Sequence, residues 1–305
     1  MRRQFAKSIN SIIETNPRLI FFTGDLGFSA LEEVQEKLGP RFVNVGVAEQ
    51  NMISMAAAAA SKNFISICYS IASFAVFRPF EQIKVDVCLH NGNVKVVGNG
   101  GGYGYGIMGA THHALEDIAV MRTLQNMRVF LPAFNSDVHA NAEEMVRHIG
   151  PCYLRLNSPV KMSLRMPVSN YAGWTKLSNG VDLVIVAAGS ILSSALILAK
   201  QFPSRIAVWQ LHETPIHRMP DELLGDLARA QKLLVLEEHV GPGGIGEALA
   251  AILLEMHNEG PKVQFQRAYA RGYPSGKYGS QLWHCEENGL TGAHLMAQVS
   301  NMLDK

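Results

Sequence analysis

Short apolar runs alternate with helix-like segments along most of this chain of 305 residues, and this alternation limits the folds that it can adopt. In the first half, the runs typical of buried strands are LIFFT (19–23), FVNVG (42–46), FISICYS (64–70), VKVVG (94–98), RVFLP (128–132) and CYLRL (152–156). Between them, apolar residues recur every three or four positions in ALEEVQEKLG, EQNMISMAAAAASKN, RPFEQIKVDVCLHNG and SDVHANAEEMVRHIG. Strand–helix alternation predicts an α/β fold with a mainly parallel sheet that helices cover on both faces.

A second, smaller series follows a stretch that has no clear period. Residues 158–180 contain prolines and glycines, which is typical of a connection between domains. Beyond them, DLVIVAAG, RIAVWQL and KLLVLEE are typical of strands, and ILSSALILAKQF, DELLGDLARA and GGIGEALAAILLEMH are typical of helices. The sequence therefore predicts two consecutive α/β domains, residues 1–160 and 181–305, joined by a linker over residues 161–180.

The composition excludes several classes of function. Lysine and arginine number 27 against 26 aspartates and glutamates, and a net charge of +1 argues against binding to nucleic acid or to an anionic membrane. The chain has no apolar run long enough to span a membrane, no recognisable secretory signal and only widely spaced cysteines, so we expect a cytoplasmic protein with reduced thiols. Charged residues make up 17%, below the roughly 25% of typical soluble proteins, which indicates a large interface with another chain.

Glu49, in NVGVAEQNM, stands where a predicted strand passes into a predicted helix. A carboxyl group among valine, alanine and methionine side chains would be desolvated and would resist ionisation. The same position also suits an ordinary glutamate that stabilises the first turn of a helix. Spacing alone leaves both interpretations open.

Aromatic side chains and histidines lie further along the first half. Phe74 and Phe77 follow the end of a predicted strand, where α/β proteins bind ligands, although aromatic residues at helical spacing are most often core. His112 and His113 precede a predicted helix, so at least one is expected to face a cleft unless both serve the turn. A zinc site is not expected, because no third ligand has a suitable spacing. Two glycine-rich runs fit close backbone approach to a bulky group better than a nicotinamide site.

Several motifs in a fixed order give the chain a family resemblance. TGDLG, NVGVAEQNM, SFAVFRPFEQI, GATHHALEDIAVMR and NMRVFLPA resemble the pyrimidine-binding domain of transketolase and of 1-deoxyxylulose-5-phosphate synthase. LVIVAAGSILSSAL, LLVLEEHVGPGGIGEAL and ENGLT resemble the C-terminal domain of the same enzymes. The resemblance covers nearly the whole chain and is closer to the separate C-terminal subunit of split transketolases.

The resemblance implies thiamine diphosphate chemistry, in which a two-carbon ketol unit passes from a ketose to an aldehyde. Glu49 would hydrogen-bond the pyrimidine ring and favour the imino tautomer, which removes the thiazolium proton to give the reactive ylide. The implied cofactor-binding residues are Asp25, Val47, Glu49, Tyr69, Phe74, Phe77 and Arg78. The implied substrate-binding residues are His112, His113, Met108 and Arg155, of which His112 is also implied to be catalytic and Arg155 to hold a distal anionic group.

The family's metal-binding motif is missing from this chain. Thiamine diphosphate enzymes hold the diphosphate through a metal bound by a G-D-G motif. Residues 24–26 of this chain read GDL, and the sequence contains no G-D-G. The resemblance therefore implies that Mg²⁺ is held by an N-terminal partner subunit, with no metal ligand from this chain. It further implies an α2β2 assembly with two copies of each subunit.

The chain departs from the family at positions that bind the sugar. Met108 stands where transketolases usually have an aspartate for a sugar hydroxyl, and Gly100 and Gly101 stand where a cation grips phosphate. These changes, together with the space that glycines would open, predict a modified or bulkier sugar as substrate. Two other functions stay open: the β subunit of a 2-oxoacid dehydrogenase E1 component, and a non-catalytic scaffold subunit.

Overall fold

The computed structural model describes residues 1–160, 173–256 and 260–304, which form two β-sheets with helices packed against them. The strands are β1 Leu19–Thr23, β2 Phe42–Asn44, β3 Ile65–Ile71, β4 Val94–Asn99, β5 Arg128–Phe130, β6 Cys152–Leu156, β7 Trp174–Ser178, β8 Gly180–Ala187, β9 Ser204–Leu211, β10 Glu213–Thr214, β11 Lys232–Val240 and β12 Gln264–Ala270. The helices are α1 Arg2–Thr15, α2 Glu32–Leu38, α3 Glu49–Ala60, α4 Ala72–Phe77, α5 Phe80–Gln82, α6 Asp117–Arg122, α7 Asn135–Arg147, α8 Leu192–Gln201, α9 Asp221–Ala230, α10 Ile245–Glu255, α11 Gln281–Glu287 and α12 Gly292–Leu303.

Both sheets are mainly parallel. The first has the strand order β10-β5-β6-β4-β3-β1-β2, and only the edge strand β10 runs antiparallel to its neighbour. The second has the order β12-β11-β8-β9-β7, in which β7 runs antiparallel to β9. The predicted α/β fold with mainly parallel sheets is confirmed.

The segment between the sheets is more structured than the sequence suggests. β7 begins inside the predicted linker, where Trp174 pairs with Leu211, so the second sheet already starts at residue 174. β10 then returns to the first sheet, where Thr214 pairs with Val129. Residues 161–172 of the predicted linker lie outside the described residues, and the domain boundary stays a prediction.

Some elements were not predicted, and each has a weak sequence signal. α1 begins with the polar residues RRQ but buries Phe5, Ile9 and Ile12 along one face. β12 is an edge strand, and most of its side chains are only partly buried because a single neighbouring strand covers it. Of the helices in the described ranges, none is both long and apolar enough to cross a membrane.

The strand order places a crevice beside β3. The side chains of β3 alternate, so Tyr69 packs towards α1, with its ring centroid 6.1 Å from that of Phe5, while Cys68 and Ser70 point towards the opposite face. β2 lies on one side of β1 and β3 on the other, so the chain changes direction across the sheet between β1 and β3. Such a switch point opens a crevice at the carboxyl ends of the strands, which is where α/β sheets bind ligands.

Candidate active site

Glu49 lies at this switch point, as the first residue of α3. Its side chain is buried, with a relative exposure of 1%, between the carboxyl ends of β1 and β3. The Ser70 hydroxyl donates a hydrogen bond to Oε1 at 3.1 Å, and the Arg78 guanidinium donates to Oε2 at 2.8 Å. A Cβ atom at Gly24 would lie 3.4 Å from Oε1, so the glycine after β1 keeps the approach to this carboxyl group open.

Burial of Glu49 agrees with the sequence-based expectation, and the structure adds a direct ion pair with Arg78, which the resemblance had placed in the same site. Arg78 is 43% exposed, so its guanidinium joins a buried carboxyl group to the open cleft. An ion pair and a hydroxyl donor hold both oxygens of Glu49 in place.

Phe74 supplies an aromatic wall next to this pair. Its ring, on α4 directly after β3, has the Arg78 guanidinium carbon 3.8 Å above its centroid, which is a cation–π contact. The ring of His112 also lies close to it, with the two ring centroids 5.2 Å apart. Phe77 is 38% exposed near the same cleft. Glu49, Arg78, Phe74 and His112 thus form one continuous set of contacts.

His112 belongs to the loop that precedes α6. The Thr111 hydroxyl lies 2.8 Å from its Nδ1, so Nε2 is the ring nitrogen available for a substrate. Tyr105 packs beside it, with ring centroids 5.8 Å apart, and the Tyr105 hydroxyl accepts a hydrogen bond from Asn99 at 2.9 Å. Burial raises the pKa of Tyr105, which therefore stays a neutral phenol near this histidine. Tyr105 was not predicted, since it lies in a glycine-rich run that gave no period.

The space expected beside Gly100 and Gly101 is filled by the chain itself. A Cβ atom at Gly100 would clash with the ring of Tyr105. A Cβ atom at Gly101 would come within 2.5 Å of Arg155 Nε. The prediction that these glycines open room for a larger substrate is therefore wrong, because they make room for two side chains of the same fold.

Asp25 and Val47 lie at the rim of the cleft. Asp25 has a positive φ of 58°, and its carboxylate and backbone amide both bond to the Asn44 side chain at 3.0 Å. Val47 is 72% exposed just before Glu49. Both residues can therefore meet a ligand or a partner subunit, as the resemblance implies.

Tyr69 and Arg155 do not face the cleft. The Tyr69 ring packs against Phe5 on the opposite side of the sheet from Glu49, so a contact between this ring and a cofactor is excluded by its direction. Arg155 is 5% exposed and donates to Asp117 Oδ2 at 2.8 Å and to the carbonyl oxygens of Ala114 and Glu238. Nε and Nη2 are thus engaged inside the fold, which argues against the prediction that it binds an anionic group of the substrate.

Met108 and His113 share a loop but differ in exposure. Met108 is 53% exposed at the end of a short helical turn, and its contact with substrate stays a prediction. His113 is 3% exposed, with Nδ1 2.9 Å from the Tyr273 hydroxyl and Nε2 2.8 Å from the Gly106 carbonyl oxygen. Both ring nitrogens are occupied, so the prediction that His113 binds substrate is corrected.

Burial lowers the pKa of His113 from 6.5 to about 4, and this makes stability depend on pH. Between these values the unfolded chain binds the proton and the folded chain does not, so the free energy of unfolding falls as pH falls from about 6.5 to about 4. We expect His113→Gln to reduce the proton uptake on unfolding near pH 5 by about one proton, measured by urea denaturation at several pH values. The exposed His217→Gln is the control. Equal pH slopes for wild type and His113→Gln would contradict the shift.

Comparison with known proteins identifies the family. The family described as "Transketolase, pyrimidine binding domain" matches residues 1–160. The chain belongs to the transketolase family. Within it, the chain corresponds to the C-terminal subunit of a split transketolase. This match and the relatives described next confirm the predicted family, the predicted fold class and the prediction of a transketolase-like transferase subunit.

The similar proteins include separate subunits and whole enzymes. One subunit of the apulose-4-phosphate transketolase of Actinobacillus succinogenes is 31% identical over 78% of this chain and 76% of its own length. The 6-deoxy-6-sulfo-D-fructose transketolase subunit SqwH of a Clostridium species is 26% identical over 100% of this chain and 95% of its own length. Rat transketolase is 28% identical over 83% of this chain, which spans only 42% of that enzyme. A split-gene transketolase solved as an inactive β4 tetramer has a TM-score of 0.83 at 29% identity, covering 99% of this chain and 98% of its own.

Proposed function

We propose that this chain binds the pyrimidine ring of thiamine diphosphate through Glu49, Phe74 and Phe77 and transfers a two-carbon ketol unit together with an N-terminal subunit. The observation that carries the proposal is the continuous contact set at the switch point. In it, Arg78 joins the Glu49 carboxyl group to the Phe74 ring, and that ring lies 5.2 Å from His112. An acid, a flat apolar wall and an imidazole thus share one crevice.

The residues of the crevice fit such a cofactor. A carboxyl group that hydrogen-bonds a cofactor ring needs a position shielded from water, and Glu49 is buried. A planar heteroaromatic ring needs a flat apolar partner. The Phe74 ring can serve as one, since its face already contacts a planar group, the guanidinium of Arg78. When bound, thiamine diphosphate supplies the carbon that attacks the ketose carbonyl.

The residues of this chain would act on protons and on orientation. The Glu49 carboxyl group would hold the proton that it shares with a ring nitrogen, and Ser70 and Arg78 fix its orientation. Phe74 and Phe77 would keep water from the ring. His112 Nε2 would meet a hydroxyl or carbonyl oxygen of the sugar, since Thr111 already engages Nδ1.

We further propose that Mg²⁺ and the diphosphate are held by a partner subunit with a G-D-G motif, in an α2β2 assembly. Within the described ranges, no group of three or more histidine, cysteine, aspartate or glutamate side chains is arranged to hold a metal ion. The solved split-gene relative is described as inactive when four β chains assemble alone. The description of this relative supports a site that needs the second polypeptide.

For the substrate, we propose a modified sugar that carries an anionic group. Met108 is 53% exposed where the family usually places an acid for a sugar hydroxyl, which supports a departure from ordinary sugar phosphates. The names of two relatives, which refer to apulose 4-phosphate and to 6-deoxy-6-sulfo-D-fructose, point the same way. A substrate screen in which xylulose 5-phosphate is the best donor and ribose 5-phosphate the best acceptor would overturn this proposal.

Met108→Asp tests the specificity directly. A restored carboxylate can accept a charge-assisted hydrogen bond from a sugar hydroxyl, worth about 1.5 kcal/mol or more. We expect kcat/KM for xylulose 5-phosphate to rise about tenfold in the assembled enzyme. Met108→Leu conserves the apolar character and serves as the control. If the aspartate and leucine variants have the same kcat/KM, Met108 does not determine specificity.

A transfer assay on three samples tests the function as a whole. The samples are this chain alone, a G-D-G-containing subunit from the same source alone, and the pair, each with thiamine diphosphate, Mg²⁺ and a panel of ketoses and 2-oxoacids. We expect ketol transfer by the pair only. Activity on 2-oxoacids would favour the E1 β subunit, which the transketolase relatives do not favour, and a pair that binds the cofactor but has no activity on any substrate would favour the scaffold subunit.

A further inference from the structure

His113 has a role in the fold that a substrate contact does not explain. The backbone carbonyl of Gly106 can only accept a hydrogen bond, so His113 Nε2 carries the proton. In the neutral ring, Nδ1 then accepts, and the Tyr273 hydroxyl must be the donor. A directed chain of hydrogen bonds therefore runs from Tyr273, after β12, through His113 to the turn at Gly106.

The second half of the chain also contacts the backbone and side chains on either side of this turn. The Tyr103 hydroxyl donates to the Gly272 carbonyl oxygen at 2.6 Å, and the Tyr103 ring stacks on His284 with centroids 4.7 Å apart. A Cβ atom at Gly109 would lie 2.9 Å from the ring of Tyr278, so that ring packs directly on the loop backbone. Residues 272–284 thus contact Tyr103, just before this turn, and Gly109, just after it.

The loop of residues 106–113, which we call the substrate loop, carries Met108 and His112. The backbone amides of His112 and His113 both donate to the Gly109 carbonyl oxygen, at 3.0 and 3.1 Å. Gly109 itself has a positive φ of 74°, a conformation that favours glycine. Because the ring of His113 is fixed at both nitrogens, the backbone that places His112 one residue earlier is fixed with it.

We propose that Tyr273 and His113 are positioning residues, through which the second domain sets the geometry of the substrate loop for the sugar substrate. The proposal rests on the proposed transferase function, because it assumes that Met108 and His112 face the sugar. It gives the second domain a part in substrate selection although that domain contributes no residue to the contact set around Glu49. The Tyr273–His113 contact involves none of the residues proposed to bind the cofactor ring.

Tyr273→Phe in the assembled enzyme tests the proposal, because it removes only the hydroxyl group. We expect KM for the ketose donor to rise about tenfold, which corresponds to one hydrogen bond, while thiamine diphosphate affinity stays within twofold. The matched control is Tyr269→Phe on β12, whose ring packs below the Arg267 guanidinium. We expect this control to keep the wild-type KM.

A nitrogen NMR spectrum of the histidine side chains gives a readout that does not depend on activity. We expect the signals of His113, located by comparison with His113→Gln, to show a protonated Nε2 and a hydrogen-bonded Nδ1, and the Nδ1 signal to move to the free value in Tyr273→Phe. A wild-type KM together with an unchanged Nδ1 signal in Tyr273→Phe would overturn the proposal. An equal rise of KM in Tyr269→Phe would also overturn it. If the wild-type pair has no ketol transfer, the proposed function fails, and the nitrogen spectrum alone then decides whether the Tyr273–His113 contact exists.

Discussion

Glu49→Gln is expected to lower kcat for ketol transfer by about 10²–10⁴-fold in the assembled enzyme, the usual contribution of a positioned acid–base group. Glutamine has nearly the same shape and can still accept the hydrogen bond from Ser70, so the fold should persist. It cannot hold or share a proton with a cofactor ring, and it cannot form an ion pair with Arg78. The change therefore removes the chemistry of the carboxyl group and keeps its volume.

The control for this variant is Glu36→Gln on α2, an exposed glutamate outside the contact set around Glu49. It should keep wild-type kcat. Single-turnover measurements with saturating cofactor separate loss of chemistry from loss of cofactor binding. A Glu49→Gln enzyme with more than a tenth of wild-type kcat would show that this carboxyl group is not the acid–base group.

Arg155→Met should lower the free energy of unfolding by about 3–5 kcal/mol, because it leaves a buried carboxylate without its charged partner. Arg155 and Asp117 are 5% and 0% exposed, and Nε lies 2.8 Å from Oδ2. Tyr153 also donates to the same Asp117 oxygen at 2.7 Å, so two buried side chains hold this carboxylate. The measurement is urea denaturation of wild type and variant under identical conditions.

Two comparisons make this prediction specific. Arg218→Met breaks an ion pair whose partners are 77% and 82% exposed, and should cost less than about 1 kcal/mol. Adding Asp117→Asn to Arg155→Met should recover part of the loss, since the buried charge is then removed. If Arg155→Met costs no more than Arg218→Met, the buried pair does not support the fold.

The interior strands of each sheet could be predicted from the sequence because they are buried on both faces. LIFFT and CYLRL are continuous apolar runs, and the structure places them as β1 and β6 in the interior of the first sheet. β7 and β12 could not be predicted with the same ease, since each is an edge strand with mostly half-buried side chains. Their pairing depends on the neighbouring strand, which local sequence does not specify.

The candidate site could be predicted only in part, for a similar reason. Glu49, Phe74 and His112 come together as the motifs suggest, because each follows the carboxyl end of a strand near the switch point. Arg155 points inward because its partner Asp117, 38 positions away in the chain, lies beside it only in the folded state. Such pairings depend on sheet register and helix packing, so the spacing of residues along the chain could not reveal them.

Cofactor binding is proposed to need this chain and an N-terminal subunit together. Calorimetric titration with thiamine diphosphate and Mg²⁺ tests it on this chain alone, on the G-D-G-containing subunit alone and on their complex. The account predicts saturable binding by the complex and weaker binding when the complex carries Glu49→Ala. Equal affinity of this chain alone, or no binding by the complex, would contradict the account.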